Sequence, residues 1–327
     1  MLAYIGRRLL FMIPTLIAIS IVSFIIIQLP PGDYLTTYVA RLQASGDLVE
    51  PEVVDALYAR YGLDKPIHLQ YVKWITNMFS GDFGWSMDWD RPVGELIWER
   101  LALTMVISSA TLIFTWLVAF PIGFYSAVRQ YSIGDYLATF ISFLGVATPN
   151  FLLALVLMWI AFSQFGQSVG GLFSPEYVDA PWSLAKVKDL IGHLWIPMVV
   201  LGVSSTASLI RVMRANLLDE LHKPYVLTAR SKGLSEARLL IKYPVRAALN
   251  PFVSSVGWIL PSLVSGSTIV AVVLSLPTSG PLYLRALRSQ DMFLAGSFML
   301  MLSALTVLGT LISDILLAWL DPRIRFT

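Results

Sequence analysis

Three histidines, His68, His193 and His222, stand far apart in a chain that contains no cysteine. A metal centre or a reactive thiol needs such ligands close together, so neither metal-assisted hydrolysis nor thiol chemistry has its residues. The dipeptide Gly-Lys is absent, and with it the GxxxxGK[ST] loop that cradles nucleotide phosphates. HExxH, GxSxG and paired intramembrane aspartates are missing as well, which removes the metalloprotease, nucleophile-elbow and intramembrane aspartyl routes. Asp314 is the sole carboxylate inside a long apolar run, toward that run's C-terminal end. A proton relay would need a partner group at membrane depth, so a helix-end carboxylate paired with water or a basic loop residue is the better reading. No reaction has a complete set of residues. The chain therefore reads as a non-enzyme with no metal and no cofactor of its own.

What is concentrated instead is charge. The stretch from Tyr225 to Pro251, YVLTARSKGLSEARLLIKYPVRAALNP, sets Leu227, Leu234, Leu239, Leu240 and Val245 among Arg230, Lys232, Arg238, Lys242 and Arg246. Gly233 breaks a first short helix, Pro244 limits a second, and Pro251 precedes the next apolar run, so two short helices meeting at a bend are expected. A basic amphipathic helix can lie on anionic lipid. This stretch is longer than a connector requires and bends at a glycine, which points to a cytoplasmic protein partner.

The elements that must present it are membrane helices. Of 327 residues, 56% are hydrophobic and 13% charged, too apolar for a soluble domain to bury. Runs of about 20 apolar residues are long enough to cross a bilayer. Six qualify, giving an all-α membrane protein: 9–29, 101–125, 136–162, 190–210, 252–276 and 292–320. Arg7 and Arg8 precede the first run as they would in a signal peptide, but it ends in QLPPGD and not at a small-residue cleavage site, so it is kept as an anchor. With residues 1–8 cytoplasmic, 13 of the 23 Lys and Arg fall inside and 10 outside. The outer ones are diluted by acids between Pro30 and Arg100, so both termini are assigned to the cytoplasm.

Residues 30–100 form the largest piece outside the membrane, a small cap in which Pro51–Tyr61 and Pro66–Phe79 are expected as amphipathic helices. The cap carries Tyr71, Trp74, Trp85, Trp89 and Trp98, which could stack on sugar rings or anchor at the bilayer interface; interfacial anchoring is the commoner use. The fifth run is the most polar. Its Ser254, Gly257, Pro261, Ser265 and Thr268 either let helices pack closely or line a wet path, and Pro261 should kink the helix. No internal repeat is present, so a transporter built from this chain needs its other half from another subunit.

The sequence resembles inner-membrane permeases of binding-protein-dependent ABC importers, in the branch that takes up dipeptides, oligopeptides and nickel. The likeness runs over nearly the whole chain: RRLLFMIPTLIAISIVSF, LPPGD, YGLDKPIHLQYVKW, GDFGWS, RPVGELIWERLALT, ATPNF and LLAWLDPRIRF, together with the basic stretch. It implies a type I ABC importer permease fold with six transmembrane helices, in which residues 211–251 are the coupling loop of a permease core, 101–327. The wider family's EAA motif falls on Leu227, Thr228 and Ala229, so its leading Glu is replaced here. Tyr225, Leu227, Thr228, Ala229, Arg230, Lys232, Gly233, Leu234 and Arg238 would then dock on an ATPase. Two departures stand out: LPTSG at Leu276–Gly280 where relatives read close to LPGLG, and Pro244 inside the loop's second helix. The resemblance further implies a bacterial or archaeal cell inner membrane and an assembly with a second permease, two ATPases that bind ATP and Mg, and an extracytoplasmic binding protein. Lipid is a partner and nucleic acid is not. The cargo would be di- or oligopeptides; oligosaccharides are the alternative, and a stand-alone channel or scaffold the distant one.

Overall fold

The computed structural model describes residues 2–28, 58–59, 65–86, 88–166, 170–250, 252–254 and 268–320. Gly257, Pro261 and Ser265, with most of the fifth apolar run and nearly all of the expected Pro51–Tyr61 helix, lie outside the described residues. Helix α1 covers Leu2–Gln28 and α2 Ile67–Phe79. Two-residue strands β1 (Trp85–Ser86) and β2 (Arg91–Pro92) pair antiparallel, with Trp85 opposite Pro92. Helices α3 (Val93–Val128), α4 (Ile133–Ala147), α5 (Asn150–Phe165) and α6 (Leu184–Leu221) follow. Three short helices come next: α7 (Pro224–Ser231), α8 (Glu236–Lys242) and α9 (Pro244–Ala248). After them come α10 (Thr268–Val273), α11 (Ser279–Arg288) and α12 (Met292–Leu320).

Among the described residues three helices are long and apolar enough to cross a membrane, within Val93–Val128, Leu184–Leu221 and Phe293–Leu317. The count becomes four if α4 and α5 form one broken span, while the apolar part of α1, Leu9–Ile25, is shorter. The run 136–162 is expected from its hydropathy as a single span, but it is two helices bent by 103°. The cause is Pro149. A residue before proline is pushed out of the helical region, and Thr148 lies at φ −81°, ψ 122°. Thr148 Oγ1 turns back to donate to Leu144 O at 2.8 Å, closing α4, and Pro149 becomes the N-cap of α5. Ser204 on α6 meets the break directly, donating to Asn150 Oδ1 at 2.8 Å with Gly145 O at 3.3 Å.

The chain divides into two compact units, one made of Arg8–Leu103 with Thr278–Leu305 and the other of Thr104–Pro277 with the two chain ends. In the first, α1 and α2 meet through Phe24, Tyr71 and Trp74, whose ring centroids lie 5.4 to 6.2 Å apart. Ser20 Oγ and Tyr71 Oη share a hydrogen bond of 2.8 Å in the same contact. The start of α3 packs Val93, Leu96 and Ile97 against Leu282 and Ala286 of α11 and Leu294 and Phe298 of α12. In the second unit α6 is the common partner of α4, α5 and α9. Close approach is set by glycines: a Cβ at Gly202 would meet the Phe114 ring at 2.8 Å, and one at Gly145 would meet Val203 at 2.9 Å. The loop before α6 is pinned by buried Lys186, which donates to Ala180 O at 2.6 Å and lies over the Phe173 and Trp182 rings at 4.9 and 5.3 Å.

Candidate coupling surface

The basic stretch folds by its own local chemistry. Helix α7 begins with Pro224 in its first turn, where the missing amide costs nothing, and ends at Gly233, whose φ of +75° suits a residue without a Cβ. Leu234 N–H donates to Ala229 O at 3.4 Å and Gly233 N–H to Arg230 O at 3.0 Å, the paired bonds of a Schellman ending. The apolar contact that accompanies this motif is present too. Val226, Ala229 and Leu239 are buried together, with Leu234 and Leu240 packed on them. Across the bend Arg230 Nε donates to Glu236 Oε1 at 2.6 Å and Nη2 to Oε2 at 3.1 Å. That guanidinium holds the Glu236 carboxyl below its ordinary range.

Three short helices stand where two were expected, because Pro244 starts one of its own. It occupies the first turn of α9 after a junction at Tyr243 (φ −118°, ψ −77°), and its side chain is buried. The stretch is also tied to α6. Glu220 accepts from Lys223 Nζ at 2.5 Å and from Tyr225 Oη; burial and this carboxylate together raise the Tyr225 hydroxyl above its usual range.

Of the nine residues singled out for docking, Tyr225, Leu227, Thr228, Arg230, Lys232, Gly233 and Arg238 are exposed. Leu234 is half-buried, and Ala229 lies in the buried cluster, where it shapes the bend and meets no solvent. Leu227, 55% exposed, and Ile241, 69% exposed, are large apolar side chains left uncovered on this basic surface. Ile241 carried no signal in the sequence beyond its place among lysines and arginines. On the fifth run, Ser254 Oγ donates to its own helix at Asn250 O, 2.9 Å, and its carbonyl lies 3.3 Å from Ser313 Oγ of α12. Thr268 opens α10 half-buried.

The sequence reading passed over a further set of polar residues. Arg214 of α6 was counted only as a basic loop residue and Asp135 not at all, yet Arg214 Nε and Nη2 donate to Asp135 Oδ1 and Oδ2 at 2.7 and 2.8 Å. The available signal was an acid just before one apolar run and an arginine just beyond another. In the other unit, Asp291 caps α12 by accepting from Leu294 N–H at 3.1 Å and takes the Ser86 hydroxyl at 2.5 Å. Burial raises its pKa, against the lowering effect of these hydrogen bonds. Beside it Arg285 bonds Asp88 at 2.7 Å and lies over Trp89 at 4.2 Å. Tyr71, Trp74 and Trp89 are therefore engaged within the protein, Trp85 donates to Asp90 Oδ1 at 3.0 Å, and Trp98 is exposed.

Residues 119–326 match the family model of the binding-protein-dependent transport system inner membrane component, and residues 1–108 match the model for the N-terminal part of such membrane components. The chain belongs to this family of ABC importer permeases. The permease is 36% identical to the oligopeptide transport system permease protein AppB of Bacillus subtilis over 332 residues, covering 100% of both chains. It is 31% identical to the dipeptide transport system permease protein DppB of Alkalihalophilus pseudofirmus, again over 100% of both. Its fold is similar to that of a solved structure of the MetNI methionine ABC transporter in inward-facing conformations. The TM-score there is 0.53 at 16% identity, with 69% of the permease and 96% of that chain covered. This is the type I importer permease fold. A permease of this family is a multi-pass inner-membrane transport subunit that works with an ATPase and a substrate-binding protein, and ATP hydrolysis belongs to the separate subunit.

Proposed function

We propose that this permease imports di- or oligopeptides, paired as a heterodimer with a second homologous permease and driven by two ATPases that bind ATP and Mg. In this reading an extracytoplasmic binding protein delivers the peptide, both termini are cytoplasmic, and six spans carry the cap of residues 30–100 outside. The cargo follows from the full-length relatives, which are named for oligopeptide and dipeptide transport. The coupling assignment is carried by one observation: a self-supported bend at Gly233 with Tyr225, Leu227, Arg230 and Arg238 exposed around it. An apolar anchor ringed by arginines is the chemistry of a protein interface. Oligosaccharide cargo draws less support, because four of the five outer aromatics have partners inside the protein.

Gly233→Leu is the direct test. Space around Gly233 is open, so the cost is that of holding a side chain at φ +75°, about 1–2 kcal/mol, and it falls on the bend alone. Membrane insertion should persist while ATPase co-purification and peptide uptake are lost. Full uptake by the variant would remove the coupling assignment.

A further inference from the structure

Three side chains tie α6 to its neighbours at successive heights. Glu220 holds the start of α7 through Lys223 and Tyr225, and Ser204 holds the break between α4 and α5 through Asn150. Between them Arg214 grips Asp135 with both arms of the guanidinium, at 2.7 and 2.8 Å. At 1.5 Å per residue the Arg214 tie lies about 9 Å along α6 from Glu220 and about 15 Å from Ser204.

The site around Asp135 is built for that one contact. Asp135 is 2% exposed, and its carboxylate also accepts from Tyr131 N–H at 2.9 Å. Ser132 Oγ caps the helix by accepting from Asp135 N–H at 3.2 Å, and Tyr131 holds a left-handed φ of 64°. The turn entering α4 is thus wrapped around the carboxylate. Apolar side chains of the same size would hold two helices together at least as well as a buried ion pair. What two parallel N–H···O bonds add is a fixed register, because they resist both sliding and rotation.

We propose that the Asp135–Arg214 pair is a transmission pin. It holds α4 in register with α6, so that displacement of α7 by an ATPase reaches the α4–α5 break instead of being lost as slip between the helices. Both residues are positioning residues. The inference rests on the importer reading above and adds a part to it.

The experiment uses the assembled importer, with both permeases, the ATPases and peptide-loaded binding protein, in sealed proteoliposomes. Peptide uptake and ATP hydrolysis are measured on the same vesicles for Asp135→Asn, Arg214→Lys and the double variant Asp135→Asn/Arg214→Gln. Uptake per ATP should fall about tenfold in Asp135→Asn, with hydrolysis within about twofold of the parent. Arg214→Lys, which keeps the charge and loses the fork, should fall less, and the double variant should be no worse than Asp135→Asn. An unchanged ratio, a parallel loss of uptake and hydrolysis, or failure of the variants to assemble would each overturn the pin. A parent complex that hydrolyses ATP and imports no peptide would overturn the cargo reading and the inference with it, a result recognisable because it does not depend on the variants.

Discussion

Asp291 shows how a single carboxylate can give part of this protein a pH dependence. Burial makes its ionised form costly, so as pH falls the native protein takes up a proton before the unfolded chain does. Stability from this group is therefore gained as pH drops through the raised native value toward the ordinary carboxylate value, and lost as pH rises through it. Amide exchange in the β1–β2 hairpin should slow over that acid window, and Asp291→Asn should flatten the slope. A slope that persists in the variant would show that Asp291 does not set it. Gly233 was legible as a bend from its type alone, since a glycine ending a short basic helix has few other uses. Asp135 and Arg214 were not, because 79 residues separate them and neither position is unusual in its own segment.

At the scale of elements, spacing and composition locate helices better than they locate breaks. The Ile67–Phe79 helix starts directly after Pro66, as a proline-led amphipathic pattern requires. The α4–α5 break was written in Pro149 but masked by apolar residues on both sides, which satisfy a hydropathy window whether or not the backbone is continuous. Pro244 gave half its message: it stopped α8, and it also began α9. Two further helix ends, at Ser275 (φ +52°) and Gln290 (φ +56°), use left-handed residues that are not glycine, which is why nothing in LPTSG announces the turn before it. Helix spacing is more demanding than composition suggests. Gly202→Leu would drive a side chain into the Phe114 ring and should cost about 1–3 kcal/mol, read as a lower melting midpoint of the detergent-solubilised protein. An unchanged midpoint would mean that α3 and α6 can part without loss.

At the scale of the whole molecule, the family could be read from the sequence because its motifs are spread from the N-terminus to the last helix, whereas any path for cargo could not. A path is made of faces brought together from several spans, and periodicity within one run says nothing about what it faces. The importer reading requires that the permease alone be inert. Vesicles containing it without partners should neither leak peptide nor hydrolyse ATP, and a leak in that preparation would revive the channel alternative. The buried trio of Val226, Ala229 and Leu239 has its own consequence for assembly. In the importer reading, a loop that already carries a small core would enter its partner folded, so docking need not include the entropy of ordering a disordered segment. Calorimetry of ATPase binding should then give a heat-capacity change that matches the interface area, without the excess that marks folding coupled to binding.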